Sequence, residues 1–159
     1  MKNILSYGLI LIAVIIIRTF IVTPVMVNGD SMYSTLKDNQ LLLLKKYDHS
    51  FERGEIIVFN YNNSKLVKRV IGMPGETIKY EDGNLYINDN LIEDEFSKIT
   101  KDYEYEGTIP ENHYFVLGDN RNYSLDSRII GPIKKDDIVG ATSFSLWPIK
   151  TIKWLSFSF

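Results

Sequence analysis

The sequence contains no cysteine and only two histidines, His49 and His113. Without cysteine there is no disulfide, no thiol nucleophile and no thiolate metal site. The two histidines are far apart, and no H-x-x-x-H spacing exists, so the pattern of a catalytic zinc site is missing too. No metal or cofactor is expected. Charge of one sign is also missing: 18 Lys and Arg stand against 20 Asp and Glu. Such balance gives no electrostatic reason to expect a nucleic-acid partner. After residue 23 no long helix-period segment appears, and the chain has neither internal repeats nor a low-complexity linker. What is present is a 159-residue chain with 45% apolar residues, which fits one compact domain rather than a disordered chain.

The apolar residues are unevenly spread. Residues 4–17, ILSYGLILIAVIII, hold no charge. As a helix they measure roughly 21 Å, short of a hydrocarbon core of about 30 Å. Apolar character resumes after Arg18 in TFIVTPVMV, and residues 4 to about 22 reach across if Arg18 snorkels to the far interface. A cleaved leader wants a small-x-small exit, which TPVMVNGDS offers poorly. A core helix wants a polar face, which this run lacks. The expectation is one uncleaved N-terminal transmembrane helix in residues 1–23, followed by a β-rich domain in 24–159. Lys2 before the span favours a cytoplasmic N-terminus, with Arg18 partly offsetting it.

Beyond Pro24 the chain reads as strands. QLLLLKKY (40–47), EIIVFNY (55–61) and KLVKRVIG (65–72) are short apolar, β-branched or aromatic runs bounded by polar turns. ETIKYEDGNLYINDNLI alternates around EDGN and NDN and reads as hairpins, Asp82-Gly83 being the stronger turn. Residues 93–111 are acidic and loop-like. Strands resume at 113–118 and 137–148. The fold class is therefore mainly β: an antiparallel β core with a small β-hairpin insertion over 76–112. The Asn62 and Asn122 sequons read as turn residues.

Three polar stretches interrupt this pattern. NGDSMYSTL (28–36) places Ser31 in a Gly-Asp turn directly after the anchor. By default such a serine is only a turn residue. Neither histidine stands in a comparable motif, so a base for Ser31 would have to be a neutral lysine in apolar surroundings. LVKRVIGMPGE supplies one, Lys68, with Val67, Val70 and Ile71 around it. Strand alternation sends Lys68 and Arg69 to opposite faces, so that one can face a site while the other stays in water. The plain alternative is an edge strand bearing solubilising charges. GDNRNYSLDSR (118–128) lies between two apolar strands, and its plain reading is an exposed loop held by Asx turns and an Asp–Arg pair.

Taken together, S-M-x-x-T-L, K-R-V-x-G-x-P-G and G-D-N-R-x-x-S-x-D-S-R, in this order behind an anchor, resemble the type I signal peptidases. These are membrane-bound serine endopeptidases with a Ser–Lys dyad that cut signal peptides from exported proteins. The resemblance runs from the anchor to about Trp147, and the short excursion between MPGE and GDNR is similar to the compact Gram-positive form. It implies that Ser31 is the nucleophile and Lys68 its general base. It implies that the Ser124 hydroxyl hydrogen-bonds and orients the lysine, and that Asp126 and Arg128 form an ion pair holding the framework. The backbone N–H of Ser31 would meet the oxyanion. Some members add a serine hydroxyl where this chain has Gly29. Ser34 stands where the family usually has proline, and Glu55 where aspartate is usual.

The resemblance further implies a bacterial membrane protein with its catalytic domain on the extracytoplasmic face. Its partners would be the signal peptides of secreted preproteins and the lipid bilayer. Small substrate side chains before the cut would enter pockets formed by Val27, Met32, Leu36, Leu66 and Val67. The substrate would lie extended along strand edges near 27–30 and 66–68. Trp147 and Trp154 would touch lipid headgroups or simply close the barrel. Other readings remain open: a conjugation-pilin processing peptidase, a self-cleaving repressor (which would carry a DNA-binding domain in place of the anchor), or a silent anchored protein that binds signal peptides.

Overall fold

The structure is a computed structural model that describes residues 2–16, 22–46, 50–142 and 145–147. Helix α1 covers Lys2–Ile16. Tyr7, Leu9, Ile10, Leu11, Ile12 and Val14 on it are all more than half exposed. Among the described residues no helix is long and apolar enough to cross a membrane. Arg18, His49 and Trp154 lie outside the described residues.

Strand β1 (Val22–Met26) begins inside the segment expected to complete the anchor. It pairs antiparallel with β2 (Leu41–Lys45) over five positions, Val22↔Lys45 to Met26↔Leu41. β-Branched Val22, Thr23 and Val25 favour a pleated surface over a helix, and Pro24, without an N–H, is tolerated because β1 is an edge strand. β3 (Ile56–Tyr61) and β4 (Ser64–Gly72) form a hairpin. Its turn residues Asn62 and Asn63 both have positive φ, 44° and 62°, as a two-residue primed turn requires. β5 (Ile78–Glu81), β6 (Asn84–Ile87) and β7 (Asn90–Ile92) follow as a meander. Asp82-Gly83 and Asn88-Asp89, all with positive φ, make its turns. The loop-like stretch 93–111 holds a short 3-10 turn at Ser97–Ile99 and strand β8 (Tyr103–Glu104), which pairs with β5. β9 (His113–Leu117), the short helix α2 (Ser127–Ile130), β10 (Ile133–Lys134), β11 (Ile138–Thr142) and β12 (Ser145–Trp147) complete the order.

These strands make two antiparallel sheets. The larger runs β1-β2-β11-β3-β4-β9-β10, with β12 also on β2. The smaller runs β7-β6-β5-β8. The chain leaves the large sheet through a bulge between Val70 and Gly72. A Cβ at Gly72 would strike the side chains of Ile78 and Ile109, so glycine there lets the small sheet pack close. Ile71, Phe115 and Leu117 share a buried cluster with Ile78, Tyr80 and Leu85 of the small sheet. Burying each such side chain contributes about 1.5–3 kcal/mol, and the contact joins both sheets to the strands that carry the site.

Candidate active site

Lys68 occupies the middle of β4, with Ile57 of β3 opposite it. Ser31 follows β1 in a loop that bends at Gly29, whose φ of 89° suits a residue without a Cβ. Gly29 N donates to Asp38 Oδ1 at 2.7 Å. Leu36 N donates to Met32 O at 2.8 Å, closing the turn after Ser31. Met32 and Leu36 are fully buried. They pull the turn into the core and leave Ser31 half-exposed at its rim.

The two motifs meet. Lys68 Nζ donates to Ser31 Oγ at 2.8 Å and to Val67 O at 2.9 Å. Lys68 is only 2% exposed, and burial lowers its pKa from 10.5 to about 8. Asp126 and Asp119 oppose that shift. The sequence around Lys68 contains no acid, and these two arrive only through the fold. At pH 7 about a tenth of such a lysine is neutral, against about four in ten thousand for a free one. A neutral Nζ carries a lone pair, so the same contact lets the Ser31 hydroxyl donate to it.

Arg69, expected to reach water if Lys68 faces a site, is equally buried at 2%. Its charge is compensated: Nε and Nη2 donate to Asp119 Oδ1 and Oδ2 at 2.9 and 2.6 Å, and Nη1 donates to Gly54 O at 2.8 Å. Arg128 likewise forks onto Asp126, at 2.9 and 2.8 Å. Asp126 Oδ2 also accepts from Gly118 N at 3.1 Å, and Asp126 caps α2. The 118–128 stretch is therefore not simply an exposed loop. Asp119, Arg121 and Asp126 are buried, because each finds a partner of opposite charge.

Ser124 sits beside them. A Cβ at Gly118 would collide with Ser124 Oγ and with Ser31 O, so glycine there lets both serine segments close in. The expected hydrogen bond from Ser124 to Lys68 is not formed. Ser124 Oγ is the one buried side-chain polar atom without a hydrogen-bond partner among the described residues, while Lys68 Nζ is engaged by Ser31 and Val67. Of the five residues expected to line pockets, Val27, Met32, Leu36 and Val67 share one buried cluster. Leu66 packs against a different cluster, with Phe59 and Val70, because alternation along β4 turns it away from Val67.

Residues 1–147 match the family model described as signal peptidase, peptidase S26. The chain belongs to the signal peptidase family. Its relatives include signal peptidase I S of Bacillus subtilis, 36% identical over 173 residues, a match covering 96% of this chain and 94% of that one. Signal peptidase IB of Staphylococcus aureus strain MRSA252 is 35% identical, with 95% and 91% covered. The crystal structure of a signal peptidase I from Enterococcus faecalis V583 superposes with a TM-score of 0.54 at 37% identity, covering 58% of this chain and 96% of that one. The mainly β, antiparallel architecture agrees with that fold.

Membership in the signal peptidase family leaves unnamed several residues that the sequence reading passed over. Arg121 Nε donates to Gly118 O at 3.0 Å, and its Nη1 donates to Tyr80 Oη, Asp94 Oδ2 and Thr100 Oγ1 at 3.1, 2.8 and 2.7 Å. Burial pushes the Tyr80 hydroxyl well above its ordinary pKa, keeping it a donor to Asp94, at 2.9 Å. Asn120 holds the Ser31 loop from the other side, with N donating to Ser31 O and Nδ2 to Asp30 O, both at 3.0 Å. The only sequence signal for these contacts was the density of Asp, Asn and Arg between two apolar strands.

Proposed function

We propose that this chain is a membrane-anchored serine endopeptidase that removes N-terminal signal peptides from exported preproteins, with Ser31 as nucleophile and Lys68 as general base. The observation that carries this reading is the 2.8 Å contact between Lys68 Nζ and Ser31 Oγ, made by a lysine only 2% exposed. Neutral Lys68 takes the Ser31 proton as Oγ bonds to the scissile carbonyl carbon, and the carbonyl π electrons move onto oxygen. The Ser31 N–H meets that oxyanion. Collapse expels the new N-terminal amine, which receives the proton from Lys68. Water, deprotonated by Lys68, then adds to the acyl carbon, the carbon–Oγ bond breaks to release the signal peptide as its carboxylate, and Lys68 returns the proton to Ser31 Oγ. Asp126, Arg128 and Ser124 frame the lysine rather than react.

Among the described residues, an open strand edge supports the substrate's course. Leu66, Val67 and Lys68 pair with β3 on one side, while β9 joins β4 only from Arg69 onward. An extended peptide can add there as a strand. On the Ser31 side, Val27 N and O are already bound to Gln40 O and Asn39 N, so the available edge begins after Val27. Val27, Met32, Leu36 and Val67 provide the apolar floor for small substrate side chains.

In this reading residues 1–23 hold the chain in the bacterial membrane, with the N-terminus cytoplasmic and residues 24–159 on the outer face. Residues 76–112 are the small insertion. The apolar, exposed surface of α1 supports the anchor, and β1, from Val22 to Met26, leads into the loop that carries Ser31. The deciding experiment is to incubate detergent-solubilised protein and Ser31→Ala with a model preprotein. Clipping at the signal-peptide junction by the first and not the second is expected. Clipping by both would overturn the assignment, and clipping by neither would favour a binding protein.

A further inference from the structure

We propose that Asn120 is a positioning residue that aims the oxyanion donor, an inference that rests on the Ser31 nucleophile reading above. A peptide bond is planar, so the C=O of Asp30 and the N–H of Ser31 belong to one rigid unit and point in opposite directions. Whatever grips the Asp30 oxygen therefore sets the direction of the Ser31 N–H. Two donors grip it: Tyr33 N within the turn and Asn120 Nδ2 across the site, each at 3.0 Å. The next peptide unit is held as well, because Asn120 N donates to Ser31 O at 3.0 Å. One residue thus brackets both peptide units flanking the nucleophile. Tyr33 belongs to the same turn and moves with it, so it cannot fix the turn relative to β4. Asn120 can.

Asn120 is held directly by its neighbour in the loop and lies between two residues that are bonded to each other. Tyr123 N donates to Asn120 O at 3.0 Å. Arg121 Nε donates to Gly118 O, and its guanidinium is held by Asp94 in the segment after β7. A hydrogen bond accepted by the Asp30 carbonyl also polarises its peptide unit and makes the Ser31 N–H a stronger donor. Both effects act where negative charge develops, not where substrate binds. Loss of the Asn120 amide should therefore appear in kcat and leave KM alone.

The experiment uses the full chain in detergent with a short signal-peptide substrate and a boronic acid of the same peptide sequence. Ser31 Oγ adds to boron, its proton passes to Lys68, and the tetrahedral anion places an oxygen where the oxyanion forms. Removing an oxyanion donor outright costs about 100- to 1000-fold in kcat; re-aiming one through Asn120→Ala should cost about 10- to 100-fold. KM should stay within about twofold, boronate affinity should fall by a factor similar to kcat, and the acid limb of the pH profile should not move. Asn120→Asp keeps the shape without the donor and should behave alike; it carries the test if the alanine variant melts early. Full kcat, a loss confined to KM, unchanged boronate affinity or a shifted acid limb would each overturn the assignment. Failure of the wild-type protein to form an adduct at Ser31 would instead reject the nucleophile, and the role of Asn120 with it.

Discussion

Arg121 of the 118–128 loop and Asp94 of the insertion form a bidentate ion pair between the two sheets, Nη1 to Oδ2 at 2.8 Å and Nη2 to Oδ1 at 3.1 Å. Neither side chain is more than 4% exposed. Phe96 and Tyr80 face the guanidinium with ring centroids 5.4 and 5.6 Å from its carbon. The insertion is therefore tied to the loop that holds Ser31.

Breaking that pair from one side leaves a buried charge. Asp94→Ala should destabilise the protein by about 3–5 kcal/mol, and Asp94→Ala with Arg121→Met should recover much of it. Urea unfolding of the two single variants and the double gives the coupling. Additive effects would show that the ion pair does not join the sheets.

Lys68 sets the pH dependence of both rate and stability. Its folded pKa is about 8, below the free value of about 10.4. The rate constant kcat/KM should rise through one ionisation near pH 8 and level off above it, and Lys68→Arg should be inactive throughout because guanidinium does not deprotonate in water. For stability the sign is the reverse of a group that gains a partner. Between the two pKa values the unfolded chain binds more protons, so stability rises with pH from about 8 to about 10.4. Lys68→Met should be more stable than wild type by up to about 3 kcal/mol at pH 7, the difference closing towards pH 10.5. A difference that does not change with pH would mean that Lys68 is not depressed in the folded state.

Ser124→Ala separates function from stability. The hydroxyl is buried without a partner, and such a group costs roughly 1–3 kcal/mol. Its removal should leave the melting temperature unchanged or raise it. If the proposed Ser124–Lys68 hydrogen bond forms with substrate bound, kcat should fall tenfold or more with KM near normal, and an unchanged kcat would remove Ser124 from the mechanism. A lower melting temperature would show that the hydroxyl is bonded in solution.

Gly118→Ala tests the close packing behind Ser31. The new methyl would stand 2.5 Å from Ser31 O and 2.6 Å from Ser124 Cβ, and overpacking of this kind costs about 1–3 kcal/mol. Cleavage should be lost well before the fold is, read as activity against circular dichroism at the same temperature. Full activity would mean that the two serine segments yield freely.

Short-range physics governs the features that residue order alone reveals. The primed turns at Asn62-Asn63 and Asp82-Gly83 were legible because only a few residue types accept positive φ. The strands 56–61, 64–72 and 113–117 were legible because they are short apolar, β-branched or aromatic runs bounded by polar turns. The motifs around Ser31, Lys68 and Ser124–Arg128 were legible as residue types in order. Strand β1 was not, since Val22 and Thr23 directly continue the apolar run expected to complete the anchor, and only β2 beside them marks where the sheet begins. Nor was the burial of Arg69 and Arg121. Whether an arginine is solvated or buried depends on a carboxylate brought from elsewhere, here Asp119, 50 positions from Arg69, and Asp94, 27 positions from Arg121. The working pKa of Lys68 had the same origin, because the burial that lowers it and the Asp126 and Asp119 charges that oppose it exist only once the sheets have closed.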